Sequence, residues 1–184
     1  MSEINSLYDR NHRFAVGFDQ ADLAIRPRLS TVILTCIDAR VDPAHFLDLK
    51  LGDAVVLRNP GGRVTEAVER ELAILFAIAN QVTDGQPPEF SLAIIHHSDC
   101  GLERLASPQA QHAISQRSGV DLPVVESFGI ADHNQSLIDD VDRLRRSNLI
   151  PDALVVSAHL YNVKSGRMNQ VIPPVRLHES LAKP

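Results

Sequence analysis

Tryptophan is absent from this chain, aromatic residues make up 4% of it, and it holds two cysteines. So little aromatic surface leaves almost nothing to stack unpaired bases or to build a large aromatic interface. Two cysteines are too few for a disulfide-stapled scaffold, and in a reducing compartment metal binding or plain burial reads better than a bridge. Positive charge is not in excess either. The formal net charge is −5, and Lys and Arg are scattered along the chain, so no cationic footprint for nucleic acid or anionic lipid is present. Long hydrophobic runs are missing as well: the longest, LAILFAIA (72–79), is far too short to cross a bilayer. The N-terminal MSEINSLYDRNHRF carries mixed charge and no apolar segment of secretory type. Together these absences point to a cytoplasmic protein that acts on a small molecule, with neither nucleic acid nor membrane as a partner.

What is present suffices for one core: 184 residues, 44% of them hydrophobic. Residues 1–27 mix Leu7, Phe14, Phe18 and Leu23 with polar residues and predict one or two amphipathic helices, an arm ended by Pro27. The domain proper then runs over 28–184. TVILTC (31–36), AVVLR (54–58), FSLAIIH (90–96) and ALVVSAHL (153–160) are short apolar, β-branched runs and predict buried strands. A Gly85-Gln86-Pro87-Pro88 loop precedes the third. Val68, Leu72, Leu75, Phe76 and Ala79 mark the stripe of a helix opened by Thr65. Leu137, Ile138, Val141 and Leu144 mark another, capped by Asp132 or Asn134. YNVKSGRMNQV reads as a hairpin or edge strand turning at Ser165-Gly166. Residues 103–130, with two prolines and broken periodicity, read as a short helix followed by a mobile flap. The fold class is α/β, a single domain whose mainly parallel sheet is flanked by helices.

In such a sheet the strand C-termini face one crevice, where ligands bind. Cys36 ends the first run, His97 the third, and Cys100 follows one turn later in HHSDCG (96–101). Two thiolates and an imidazole suit zinc, and three protein ligands leave a fourth position free. A His-x-x-Cys pair by itself is more often ordinary buried residues, and His96 reads as a bystander. The second loop, CIDARVDP (36–43), sets Asp38 and Arg40 at alternate positions beyond Cys36, so a carboxylate and a guanidinium share one side of an extended segment. Asp38 can take the fourth metal position, or it can turn away and accept hydrogen bonds from Arg40. A third loop, RNPGGRVTE (58–66), brings Gly61 and Gly62 to the same edge, where each glycine alone reads as part of an ordinary tight turn.

CIDAR, RNPGGRVT and HHSDCG, in this order and spacing, resemble the signature of the β-class carbonic anhydrases, a likeness running from about residue 28 to the YNVKSGRM segment. The resemblance implies a Zn2+ enzyme that interconverts CO2 and bicarbonate. It implies metal on Cys36, His97 and Cys100, with Asp38 as an alternating fourth ligand, and a catalytic Asp38–Arg40 dyad that orients the nucleophile. It further implies a Gly101 backbone N–H against the product, and a homodimer or larger homo-oligomer in which the N-terminal helices reach over a partner subunit. His45, His112 and His133 are available to carry the proton away, with nothing to choose between them. Pro60 departs from the small residue more usual there. The rival functions are hydrolysis of carbonyl sulfide or carbon disulfide on the same site, and a non-catalytic zinc protein in which Asp38 closes a four-ligand site. A phosphate or nucleotide binder is disfavoured, since neither G-x-G-x-x-G nor a Walker lysine occurs.

Overall fold

All four apolar runs become strands. The computed structural model describes residues 3–82 and 90–178, so the expected Gly85-Gln86-Pro87-Pro88 loop lies outside the described residues. β1 (Thr31–Cys36), β2 (Val55–Asn59), β3 (Ser91–His97) and β4 (Val155–Asn162) are followed by β5 (Arg167–Arg176). The sheet order is β2-β1-β3-β4-β5. The first four strands pair in parallel, and β5 returns antiparallel along β4 as the edge, through a turn in which Gly166 takes φ 69°. Register puts Cys36 opposite Asn59, Thr35 opposite Ile95 and His97 opposite Tyr161, so the C-terminal ends of β1, β2 and β3 form one rim.

Alternation along the strands divides the core. Val32, Leu34, Leu92, Ile94, Val156 and Ala158 point to one face, where Val68, Leu72 and Phe76 of α3 (Glu66–Val82) and Leu137, Val141 and Leu144 of α6 (His133–Arg146) cover them. Ile33, Ile95 and Tyr161 belong to the other cluster, closed by Val41 and by Phe46 of the short α2 (Pro43–Phe46), and Cys36 and Cys100 sit within it. Fully buried leucines such as Leu34 and Leu72 each contribute about 1.5–3 kcal/mol by leaving water. The caps match the sequence: Thr65 Oγ1 accepts the Val68 N–H at 3.4 Å, and Asp132 Oδ1 accepts that of Gln135 at 2.7 Å.

Two expectations need correction. The N-terminal arm is helical as expected, in one helix, α1 (Glu3–Ala15), but that helix stops well before Pro27 because Gly17 takes φ 81° and turns the chain out of it. All its described residues are exposed. Residues 103–130, read as a short helix and a flap, are helical over most of their length, with α4 (Pro108–Ser118) and α5 (Leu122–Phe128). Their prolines, Pro108 and Pro123, occupy first-turn positions, where a missing N–H has no partner to lose, so they start helices rather than break them. Among the described residues no helix is long and apolar enough to cross a membrane.

Candidate functional site

β1 and β3 are neighbours, so their last residues bring Cys36 and His97 together at the rim. The chain then turns at Asp99, a non-glycine residue at φ 59°, and Cys100 comes back as the residue leading into the 3-10 turn Gly101–Leu105. The ligand atoms of Cys36, His97 and Cys100 all lie within 4.8 Å of one another, and all three residues are buried.

The sulfur of Cys36 is prepared for negative charge. Gly61 N–H donates to it at 3.3 Å and Asp38 N–H at 3.4 Å. Gly62 makes the first contact possible: a Cβ there would sit 2.9 Å from the Thr35 carbonyl carbon, so the 60–62 turn lies directly on β1. The Cys36 thiol is driven well below its ordinary value by the Cys100 S–H, against burial, with help from these two N–H groups. Cys100 moves the opposite way, held up by its negative neighbour and by burial. Its backbone N–H is fixed by Glu103 Oε1 at 2.9 Å.

His97 Nδ1 lies 3.0 Å from the Ser98 carbonyl oxygen, which only accepts, so Nδ1 carries the proton. That leaves Nε2 with a lone pair, buried and without a hydrogen-bond partner. A buried acceptor with nothing to accept is costly. Facing two thiols, one of them poised to ionise, this orphaned nitrogen fits a divalent, thiophilic cation such as Zn2+.

Asp38 is turned toward Arg40. Its Oδ1 accepts Arg40 N–H at 2.9 Å and Nε at 3.0 Å, and its Oδ2 accepts Nη2 at 2.7 Å. Those hydrogen bonds hold the carboxyl far below the usual carboxylate range. The close group around Cys36 therefore contains Cys36, His97 and Cys100 and does not include the Asp38 carboxylate. Arg58 supports the loop from beneath, through Nε to the Cys36 carbonyl at 3.0 Å and Nη2 to that of Asp38 at 2.8 Å. Gly101 borders an open cavity of about 360 Å³ whose lining includes Leu105, Ala110 and Ile114.

Behind the rim lies a polar network that the sequence did not disclose. His96, read as a bystander, is fully buried, and its Nε2 sits 3.2 Å from Asp140 Oδ2. Asp140, on the inward face of α6, also receives Arg63 Nε at 2.9 Å, while Arg63 Nη1 reaches the Gly129 carbonyl at 2.7 Å. His133 packs edge-on to His96, with ring centroids 5.9 Å apart, and its Nε2 lies 2.9 Å from Glu103 Oε1. The available signal was an acid at a core position, since Ser136, Asp140 and Leu144 are spaced four apart on the buried stripe of α6. His112, the exposed alternative, turns instead to the Pro108 carbonyl at 2.8 Å.

Comparison with known proteins agrees with this geometry. The carbonic anhydrase family model matches residues 31–121. The fold superimposes on the crystal structure of carbonic anhydrase from Streptococcus mutans with a TM-score of 0.77 and 30% identity, covering 93% of this chain and 98% of that one. Beta-carbonic anhydrase 1 of Mycobacterium tuberculosis is 26% identical over 163 residues, 89% of this chain and 94% of its own. Carbon disulfide hydrolase of an Acidianus strain is 25% identical over 166 residues, 76% of this chain and 78% of its own.

Proposed function

The chain belongs to the β-class carbonic anhydrase family and is an enzyme of that type, and from this premise we propose that it catalyses the reversible hydration of carbon dioxide to bicarbonate and a proton. The observation that carries this reading is the unpartnered His97 Nε2 facing two thiols, beside a carboxylate that an arginine holds ionised. Cys36 Sγ, His97 Nε2 and Cys100 Sγ would hold Zn2+, which supplies the Lewis acidity that makes water a nucleophile near neutral pH. Because Cys36 and Cys100 bring two negative charges, that acidification is weaker than with imidazole ligands alone, and orientation by the protein matters more.

Asp38 supplies the orientation. Arg40 N–H and Nε donate to Oδ1, while Oδ2 accepts Nη2 at 2.7 Å and only the longer arm of the shared Nε proton at 3.3 Å, so Oδ2 is the less occupied acceptor site. That site takes a hydrogen bond from the O–H of the nucleophile and fixes which lone pair faces the carbon of CO2. The Gly101 N–H steadies the oxygen that gains charge as bicarbonate forms. Freed from Arg40, the Asp38 carboxylate would itself be able to ligate the metal and would close the site to substrate. The fork around Asp38 favours the open form, and so favours an enzyme over a non-catalytic zinc protein with a closed site.

Residues 1–27 act as an arm on the 28–184 unit, and the exposed α1 lies on a second copy in a homodimer or larger homo-oligomer. Stopped-flow CO2 hydration on protein of measured zinc content tests the reading, and turnover well above the buffer rate is expected. A zinc-loaded chain without turnover would overturn it. A second reading, hydrolysis of carbon disulfide or carbonyl sulfide, is favoured by the similarity to carbon disulfide hydrolase. Rates on the three substrates decide, with CO2 expected to be the fastest.

A further inference from the structure

Arg40 is gripped from two sides. Asp38 holds one edge of the guanidinium, and Asp99 holds the other: Nη1 donates to Asp99 Oδ2 at 2.7 Å and Nη2 to the Asp99 backbone carbonyl at 2.9 Å. The side chain of Arg40 is half exposed, so a single carboxylate partner would leave it free to swing. Two partners at opposite edges of a rigid planar fork leave it one orientation. The backbone of Asp99 is built for this role. It sits at φ 59°, a left-handed conformation that Asp tolerates better than most residues.

We propose that Asp99 is a positioning residue for Arg40, a clamp that keeps the guanidinium where it holds Asp38 out of the fourth metal position. This rests on the reading of Asp38 as a carboxylate that alternates between Arg40 and the metal. Asp99 belongs to the same four-residue stretch as His97 and Cys100, so the loop that supplies two ligands also sets the arginine that restrains Asp38 on the 36–43 loop. The Asp99 carboxylate is 64% exposed and contributes little to packing, so its removal acts on Arg40 rather than on the fold.

The test uses the full chain loaded with Co2+, whose visible bands report a change of ligand, titrated with thiocyanate at one fixed pH. Asp99→Gly tolerates the left-handed backbone and keeps the carbonyl acceptor while losing the carboxylate. It is expected to bind thiocyanate about tenfold more weakly than the unaltered chain at full metal content, because Asp38 then competes for the position. Asp99→Asn, which still offers an acceptor oxygen, is expected to fall between. In an Asp38→Ala background the Asp99→Gly effect is expected to vanish, since no carboxylate is left to restrain.

Unchanged thiocyanate affinity in Asp99→Gly overturns the proposal, as does an equal loss in the Asp38→Ala background. So does a fall in metal content, which would mark a merely structural role. CO2 hydration is measured separately on the zinc form. An unaltered chain that fails to hydrate CO2 yet shows the Asp99 dependence refutes the proposed activity and leaves the clamp standing. A fully active chain indifferent to Asp99 does the reverse.

Discussion

Replacing Gly62 with alanine tests whether the 60–62 turn really rests on β1. The new Cβ would lie 2.9 Å from the Thr35 carbonyl carbon and 3.0 Å from the Cys36 nitrogen, both backbone atoms of a strand paired on its two sides. Neither can yield without disturbing the sheet. Gly62 also stands at φ 69°, where alanine costs about 1 kcal/mol more than glycine. Overpacking a rigid site adds about 1–3 kcal/mol. The sum, about 2–4 kcal/mol, lowers the melting temperature of a chain of this size by roughly 4–16 °C. Gly166→Ala is the control, for it shares φ 69° and has nothing within 4 Å of the added carbon, so only the conformational cost remains, about 2–4 °C. Relief of the clash at Gly62 also lifts Gly61 N–H off the Cys36 sulfur, so zinc affinity should fall in that variant alone. Thermal melts on metal-free protein and a competitive zinc titration measure the two effects. If both variants melt at the same temperature, the close approach of this turn to β1 is refuted, and with it the Gly61 N–H as one of the donors that favour ionised Cys36.

Cys36→Ser and Cys100→Ser are expected to lose both bound zinc and turnover, whereas Asp38→Ala keeps most of its zinc and little of its rate; metal analysis beside stopped-flow kinetics separates them. Asp140→Ala leaves the Arg63 charge, 11% exposed at the side chain, without its partner and should lower stability by about 3–5 kcal/mol, read as a shift of the urea midpoint. A loss below about 1 kcal/mol would mean the pair contributes nothing to holding α6 on the rim. Burial pushes His159 below its ordinary value, so as pH falls below about 6.5 the unfolded chain takes up a proton that the folded chain refuses, and stability declines toward acid. His159→Gln should therefore show a shallower drop in melting temperature between pH 7.5 and pH 5.5 than the unaltered protein, and an equal drop would exclude His159 as a source.

The centre of the sheet was legible because β1 and β3 are covered on both faces and so carry nearly continuous apolar runs, TVILTC and SLAII. α3 and α6 were legible for the complementary reason: Val68, Leu72 and Phe76, and Leu137, Val141 and Leu144, repeat with the period of a helix lying on one surface. Elements that cover no strand were half legible, one short helix being expected where α4 and α5 both stand. α4 has no buried residue and α5 only Val125, so neither carries a stripe, and their prolines hid the helices they begin. The N-terminal helix ends earlier than Pro27 for the opposite reason, since a mixed pattern without a surface to lie on does not hold a helix past Gly17.

At the site, convergence of Cys36, His97 and Cys100 followed from two facts visible in the chain, that each residue ends or follows a parallel strand and that such ends share a rim. What holds those residues still was not visible, because it depends on partners distant in sequence and on backbone atoms that carry no residue-type signal. Gly62 matters for the Cβ it lacks, Asp99 for an arginine 59 positions away, and His96 for an acid 44 positions away. Periodicity reports burial, whereas a hydrogen-bond network reports pairing, and a lone acid on an apolar stripe says only that some partner must exist. Asp140 was such a residue. An uncompensated carboxylate inside α6 would be expelled, so its position alone requires a cation on the facing loop, and RNPGGR offers one at Arg63. The spacing of acids on otherwise buried helix faces is therefore the sequence feature from which the support of this rim could have been inferred.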